Sequence, residues 1–156
     1  MAFDMFLKIQ GIDGESKDDK HANEMDVLAW SWGMSQSGTM GAMGGGGGGK
    51  VSEQDMSLTK WIDKASPNLM LACCNGKHLP ESLLTVRKSG EKPLEYLKVT
   101  MQDCILSSVS NGGSDGEERL TENITLNFAK VKMEYQAQKK DGSPDGGAVT
   151  TAWNIE

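Results

Sequence analysis

Apolar and polar residues alternate with period two along most of the chain, the pattern of strands with one buried face. Phe3, Met5, Leu7 and Ile9 fall on one side, and Asp4, Lys8 and Gln10 on the other, with Phe6 out of pattern. Leu28, Trp30 and Trp32 are read as one face, with Asp26, Ala29 and Ser31 opposite. Val51 to Trp61 reads as one strand. Leu97, Val99 and Met101 alternate with Lys98, Thr100 and Gln102, and Ile124, Leu126 and Phe128 with Thr125 and Asn127. The phase then slips, so that Val131, Met133 and Tyr135 alternate with Lys130, Lys132 and Glu134. A one-residue slip turns a strand over unless a bulge absorbs it, which predicts a bulge or bend near Ala129. A last strand is expected from about Ala148 to Ile155, with Thr151, Trp153 and Ile155 on one side.

Turn signals separate these runs at Gly11–Gly14, Asn111–Gly113 and Asp141–Gly147. Strands so spaced predict an all-β barrel or sandwich. One segment departs from the pattern. Ser66 reads as a helix cap, Pro67 as the first helical residue, and Gly76 as a left-handed stop, which predicts a short helix at about 67–75. Being apolar nearly all round, it is expected to pack against the barrel. The segment from Gly33 to Lys50 holds nine glycines, six of them consecutive, with Met34, Met40 and Met43. It reads either as a loop without fixed structure or as an extension that orders against a partner, its methionines serving as adaptable contacts.

Composition narrows the function. The 156 residues suit one domain, 1–156, and 22 acidic against 16 basic residues give a net charge of −6. Such a chain lacks the positive field that nucleic-acid binding requires. The longest apolar run, Leu69–Cys74, is far too short to span a bilayer, and Asp4 and Lys8 interrupt the N-terminal apolar stretch, so neither membrane insertion nor a signal peptide is expected. Cys73, Cys74 and Cys104 are odd in number and two are adjacent, which reads as reduced thiols in a cytoplasmically folded protein. Cys73 and Cys74 are expected in the helix, at least one of them buried.

No enzymatic site emerges. Gly44 to Lys50 approaches a phosphate-binding loop, but Val51 stands where Ser or Thr must hold magnesium, and a strand follows instead of a helix. Asp141, Ser143 and Asp145 start like a calcium loop, but Ala152 replaces its bidentate Glu. His21 and His78 lack a second histidine at metal-ligand spacing, and both lie near turns. The acidic pairs Asp18–Asp19 and Glu117–Glu118 read as solvated faces. No cofactor or metal is expected. A barrel with no catalytic site and one long arm points to assembly, since uncovered strand edges find partners.

Four stretches carry a resemblance: MAFDMFLKIQGIDGESKD, DVLAWSWGMSQSG, IDKASPNLMLACCNGKH and SSVSNGGSDGEERLTENITLNFAKVKMEYQAQ. Together they resemble the Hcp family of bacterial type VI secretion systems, nearly end to end. The resemblance implies a mainly β fold: a β-barrel of two sheets with one short flanking helix at about 67–75 and a long glycine-rich loop at about 33–50. It implies a structural role, with homohexameric rings stacked into an inner tube, ejected by a contractile sheath, capped by a spike protein, and carrying small effector proteins in the lumen. It also implies secretion without a signal peptide. The chain stops at Glu156 directly after the last strand, which favours a tube subunit over a fused toxin.

The resemblance assigns subunit or ring-stacking contacts to the glycine-rich loop, including Met34, Thr39, Met40, Met43, Gly46 and Lys50. Alternation turns the tryptophans inward and leaves Ser31, with Ala29, pointing out of the barrel, where cargo in a lumen would touch them. The rival reading is a monomeric ligand-binding β-barrel, which predicts an interior cavity.

Overall fold

Two long strands joined as a hairpin organise the molecule. In the computed structural model, which describes residues 3–38, 48–90 and 93–155, they are β7 (Glu95–Gly112) and β8 (Thr121–Tyr135). The other strands are β1 (Phe3–Ile9), β2 (Met25–Ser31), β3 (Met34–Gly38), β4 (Gly48–Glu53), β5 (Met56–Trp61), β6 (Leu79–Lys88) and β9 (Val149–Asn154), with one helix, α1 (Ser66–Asn75). Two unequal sheets result. The large one runs β5-β2-β1-β6-β7-β8-β9, and a further β5–β8 pairing closes its first six strands into a barrel. The small one is a ribbon of β3 and β4.

The predicted bend near Ala129 is present and involves both long strands. On β8, Phe128 and Val131 are both buried; on β7, Met101 and Cys104 are both buried. Both strands therefore change phase at the same level. Their pairing runs Gln102↔Lys130 then Cys104↔Phe128, and the register is the same on either side of Asp103 and Ala129. Asp103 takes φ 54°, a left-handed conformation that Asp tolerates better than most residues. Two matched slips fold the hairpin over without losing alignment, and the freed Ala129 carbonyl accepts the Ile155 amide at 2.7 Å. A separate bulge in β7, between Leu106 and Ser108, turns Ser107 and Ser108 outward as neighbours.

The interior is packed with side chains, among them Leu7, Met25, Leu58, Leu84, Met101 and Leu126 at 0–1% exposure. Cys104 lies in this core, and burial pushes its thiol up to about 11. One polar group is built into the core. Lys60 is fully buried; its ammonium donates to Glu122 Oε1 (2.5 Å), Asp63 Oδ1 (2.9 Å) and the Trp61 carbonyl (2.8 Å). Glu122 also accepts from Ser66 Oγ (2.7 Å) and from the Asn111 amide (2.5 Å). All three ammonium protons are used, the condition under which a buried pair is tolerated.

This network corrects the helix start. Ser66 lies inside the first turn, Ala65 is the cap residue, and the Asp63 carboxylate takes the Ala65 amide at 3.0 Å. Gly76 ends the helix at φ 62°, as expected. Only one side of α1 packs, through Leu69 and Ala72; Met70, Leu71 and Cys74 are exposed and Cys73 is half-buried. Helical periodicity turns part of any helix away from the sheet it covers, whatever its composition.

Two further expectations change, and one strand was not foreseen. Leu28 does not share the tryptophan face. A bulge between Val27 and Ala29 puts Val27 inside and Leu28 outside before Trp30 turns back to the core. Val51–Trp61 is not one strand: it breaks at Gln54–Asp55 into β4 and β5, which belong to different sheets. β6, unmarked by clean alternation, sits between β1 and β7, with Thr85 and Arg87 buried among its apolar residues.

Candidate functional site

Barrel closure through β5–β8 places four strands side by side, in the order β2, β5, β8 and the second half of β7. Register then sets their outward residues in rows. One row runs Ser31, Ser57, Thr125, Ser108; the next runs Ala29, Thr59, Asn123, Ser110. All eight are small and uncharged, and none is buried. Their side chains bond to one another: Thr59 Oγ1 donates to Asn123 (2.6 Å), and Thr125 meets both Ser107 (2.7 Å) and Ser108 (2.6 Å). Asp55 borders the rows, accepting from Ser107 (2.6 Å) and Asn127 (2.9 Å). At the other border Arg119 lies over the Trp61 ring, 4.6 Å from its centroid. Ser31 and Ala29, the two positions singled out from alternation, are therefore part of a continuous small-polar wall. Trp30 and Trp32 pack against the core beneath them.

The wall is held flat from behind. The Trp32 indole donates to the Gln54 carbonyl (2.9 Å) and tilts against Phe128, and the Gln54 amide donates to the Gly33 carbonyl (2.9 Å). These bonds also fix where the chain leaves β2 for the β3–β4 ribbon. The ribbon is an arm, with Met34 opposite Glu53 and Gly38 opposite Gly48. Met34 is 55% exposed and Lys50 is exposed as well. Thr39, Met40, Met43 and Gly46 lie outside the described residues, as does most of the Gly44–Lys50 run.

A second exposed feature adjoins the arm. Among the described residues β9 pairs with β8 and stands last in the sheet, and all six of its residues are exposed. Val149 is 69% and Trp153 55% exposed. The Trp153 indole donates to Glu53 Oε1 at 3.2 Å, tying the last strand to the arm. A groove of about 450 Å³ between them is lined by Gln36, Lys50, Val51, Glu53, Trp153 and Ile155. Sequence reading missed this junction, because Glu53 and Trp153 are a hundred positions apart. It also missed the other six wall positions. Their polar periodicity was visible, but their adjacency depends on β5 meeting β8.

The near-miss motifs resolve as local structure. Asp141 forms a turn, accepting the Ser143 amide (3.0 Å) and hydroxyl (2.6 Å), which hold its carboxyl below the usual range. Among the described residues no group of three or more His, Cys, Asp and Glu is placed to hold a metal ion, and no helix is long and apolar enough to cross a membrane. The three cysteines are free.

Comparison with known proteins agrees with this architecture. Residues 6–135 match a family model described as "Type VI secretion system effector, Hcp". The chain is 62% identical over 156 residues to protein hcp1 of Pseudomonas aeruginosa, a match covering 99% of this chain and 96% of that one. Among solved structures it is similar to Hcp1 from Salmonella typhimurium, with TM-score 0.82 and 47% identity, covering 99% of this chain and 96% of the other. It is also similar to a type VI secretion system effector from Yersinia pestis, with TM-score 0.80 and 38% identity, covering 97% and 100%.

Proposed function

The chain belongs to the Hcp family of type VI secretion proteins, and from that premise we propose that it is the repeating structural subunit of the secretion tube. Six copies close a ring, and rings stack into a tube that a contractile sheath ejects behind a spike protein. The small-polar wall lines the lumen, where Ser31 and Ala29 touch small effector proteins. The arm, with Met34, Thr39, Met40, Met43, Gly46 and Lys50, contacts neighbouring subunits or the next ring. The subunit folds in the cytoplasm, leaves through the apparatus without a signal peptide, and catalyses nothing.

One observation carries this reading. The barrel is filled with side chains, yet Met34 of the arm and Val149 and Trp153 of β9, the last strand of the described sheet, lie in solvent. A strand at the end of a sheet is a pairing site unless covered. A filled interior also speaks against the monomeric ligand-binding barrel, which needs that space for its ligand.

The test is the solution mass by light scattering after gel filtration, with the same fraction imaged by electron microscopy. Ring-shaped particles of about six subunits are the expected result, the closed symmetry that such an interface generates. A monomer at every concentration would overturn the assembly reading and bring the ligand-binding barrel forward.

A further inference from the structure

We propose that the β1–β2 loop is a proton-operated strap: it closes over the outer side of β1 while the His21 ring is doubly protonated, and releases when the ring loses a proton.

The loop, residues 10–24, joins β1 to β2 and carries Asp13, Glu15, Asp18, Asp19 and Glu24. Phe6, out of phase with the inward residues of β1, points away from the core yet is only 4% exposed. His21 covers it: the two rings stack with centroids 4.5 Å apart and planes 9° apart. His21 is itself buried, at 7% exposure. Its Nδ1 lies 2.8 Å from Glu24 Oε2 and its Nε2 lies 2.5 Å from Glu95 Oε1, at the start of β7.

Both ring nitrogens therefore face carboxylate oxygens. An ionised carboxylate only accepts hydrogen bonds, and a neutral imidazole has one N–H and one bare lone pair. Two carboxylates on one ring are satisfied together only by the imidazolium. In the neutral ring, one nitrogen lone pair would face a carboxylate oxygen at hydrogen-bond distance with little water to screen it. Glu24 is the more buried of the two carboxylates and Glu95 keeps Lys98, so the one remaining proton stays on Nδ1 for Glu24, and the contact that opens is the one to Glu95, which joins the loop to β7.

The surrounding charges leave His21 central. Asp18, on the same loop, binds Arg87 of β6 through both its oxygens, and also takes the His21 backbone amide at 3.2 Å. Arg87 reaches Asp4 of β1 at 3.4 Å and lies 4.9 Å from the Phe6 ring centroid. Among the described residues, Glu95 has one further cation, Lys98 of β7, at 3.4 Å, while Glu24 has only His21 on Oε2 and its buried Oε1 has no hydrogen-bond partner. Burial raises the Glu95 carboxyl, but the His21 hydrogen bond and charge, with Lys98, outweigh it and hold the group below its ordinary range. The strap therefore has an acid limit too. Its Glu95 contribution is complete above the ordinary carboxylate range and is lost as pH falls through the lowered folded value.

The experiment is an NMR titration of the purified full chain. Ring ¹⁵N shifts report the protonation of His21, and amide exchange of residues 13–24, divided by the intrinsic chemical rate, reports closure. The expected result is a doubly protonated ring wherever the loop is protected. Protection of the loop should fall about tenfold or more as the ring deprotonates, the loss of one charge-assisted hydrogen bond. Glu95→Gln should remove that step, because its amide can donate to a neutral Nε2 and keep the strap shut. A neutral ring while the loop is still protected, or loop protection unchanged as the ring loses its proton, would overturn the proposal. If Glu95→Gln does not fold, the wild-type titration decides it alone. The ring and tube measurements above do not enter this test.

Discussion

The barrel presents two outward faces built partly from the same two strands. Beyond the bend, the second half of β7 and the first half of β8 contribute to the small-polar wall with β2 and β5. Before it, Lys98, Thr100 and Gln102 of β7 sit opposite Glu134, Lys132 and Lys130 of β8. On that face the contacts are long and loose: Lys132 to Glu134 at 3.1 Å, Lys98 to Glu95 at 3.4 Å and Lys130 to Asp103 at 3.9 Å, all between partly exposed groups. On the wall they are short, at 2.6–2.7 Å, between side chains with few rotatable bonds. Immobilising a lysine costs far more entropy than immobilising a serine or threonine. A wall of short hydroxyls and amides can therefore hold a fixed, neutral surface at little conformational cost, while the lysine face stays mobile and charged. One hairpin supplies both chemistries because Asp103 and Ala129 let it fold over.

The largest effect should come from beneath the wall, where the core carries the Lys60–Glu122 pair. Glu122→Ala leaves the buried ammonium with Asp63 as its one remaining carboxylate and strips Ser66 and Asn111 of their acceptor, and should cost about 3–5 kcal/mol in urea unfolding. The double change Lys60→Met with Glu122→Leu should recover most of that loss. A single change costing under about 1 kcal/mol would mean that the pair is solvated and the two faces rest on similar cores.

Next is β9, the last strand of the described sheet, beside the lysine face. Trp153→Asp should shift the light-scattering mass from rings to monomers while circular dichroism and thermal unfolding change little, because the side chain is 55% exposed in the single chain. Ser31→Trp, on the wall, should do the reverse: rings intact, but retention of co-purified small proteins reduced several-fold. Intact rings with unchanged retention would remove the wall from cargo contact and break the functional side of the comparison.

The smallest effects belong to the lysine face itself. Lys132→Glu should change unfolding free energy by no more than about 0.5 kcal/mol, the usual range for an exposed ion pair. Its charge should matter at longer range. Each chain carries −6, so rings repel when they stack, and salt screens that repulsion over ~8–10 Å at near-physiological ionic strength. Scattering from tubes should rise from low to moderate salt, and a flat or falling signal would mean that stacking is not limited by net charge.

Much of the barrel was legible because its strands are half-buried, and half-burial writes a period of two into the sequence. Ile124–Phe128, Leu97–Met101 and the slip at Ala129 were readable for this reason. β6 was not, since Thr85 and Arg87 are buried by neighbours that arrive from distant parts of the chain. Leu28 was misplaced because a bulge moves the phase without changing composition. Ser31 and Ala29 could be seen to point outward, but not which residues stand beside them.

The sequence by itself determined the β class, the reduced cysteines, the Gly76 helix stop, the inward tryptophans and the membership of a family, all properties of local pattern or of order along the chain. Tertiary structure decided the rest: closure of β5 onto β8, the two rows of small polar side chains, the tie from Trp153 to the arm, and His21 between two glutamates. Each depends on residues far apart in the chain meeting at a distance of a few ångströms. Period and composition carry no information about such meetings, because they describe which way a side chain faces and not what it will face.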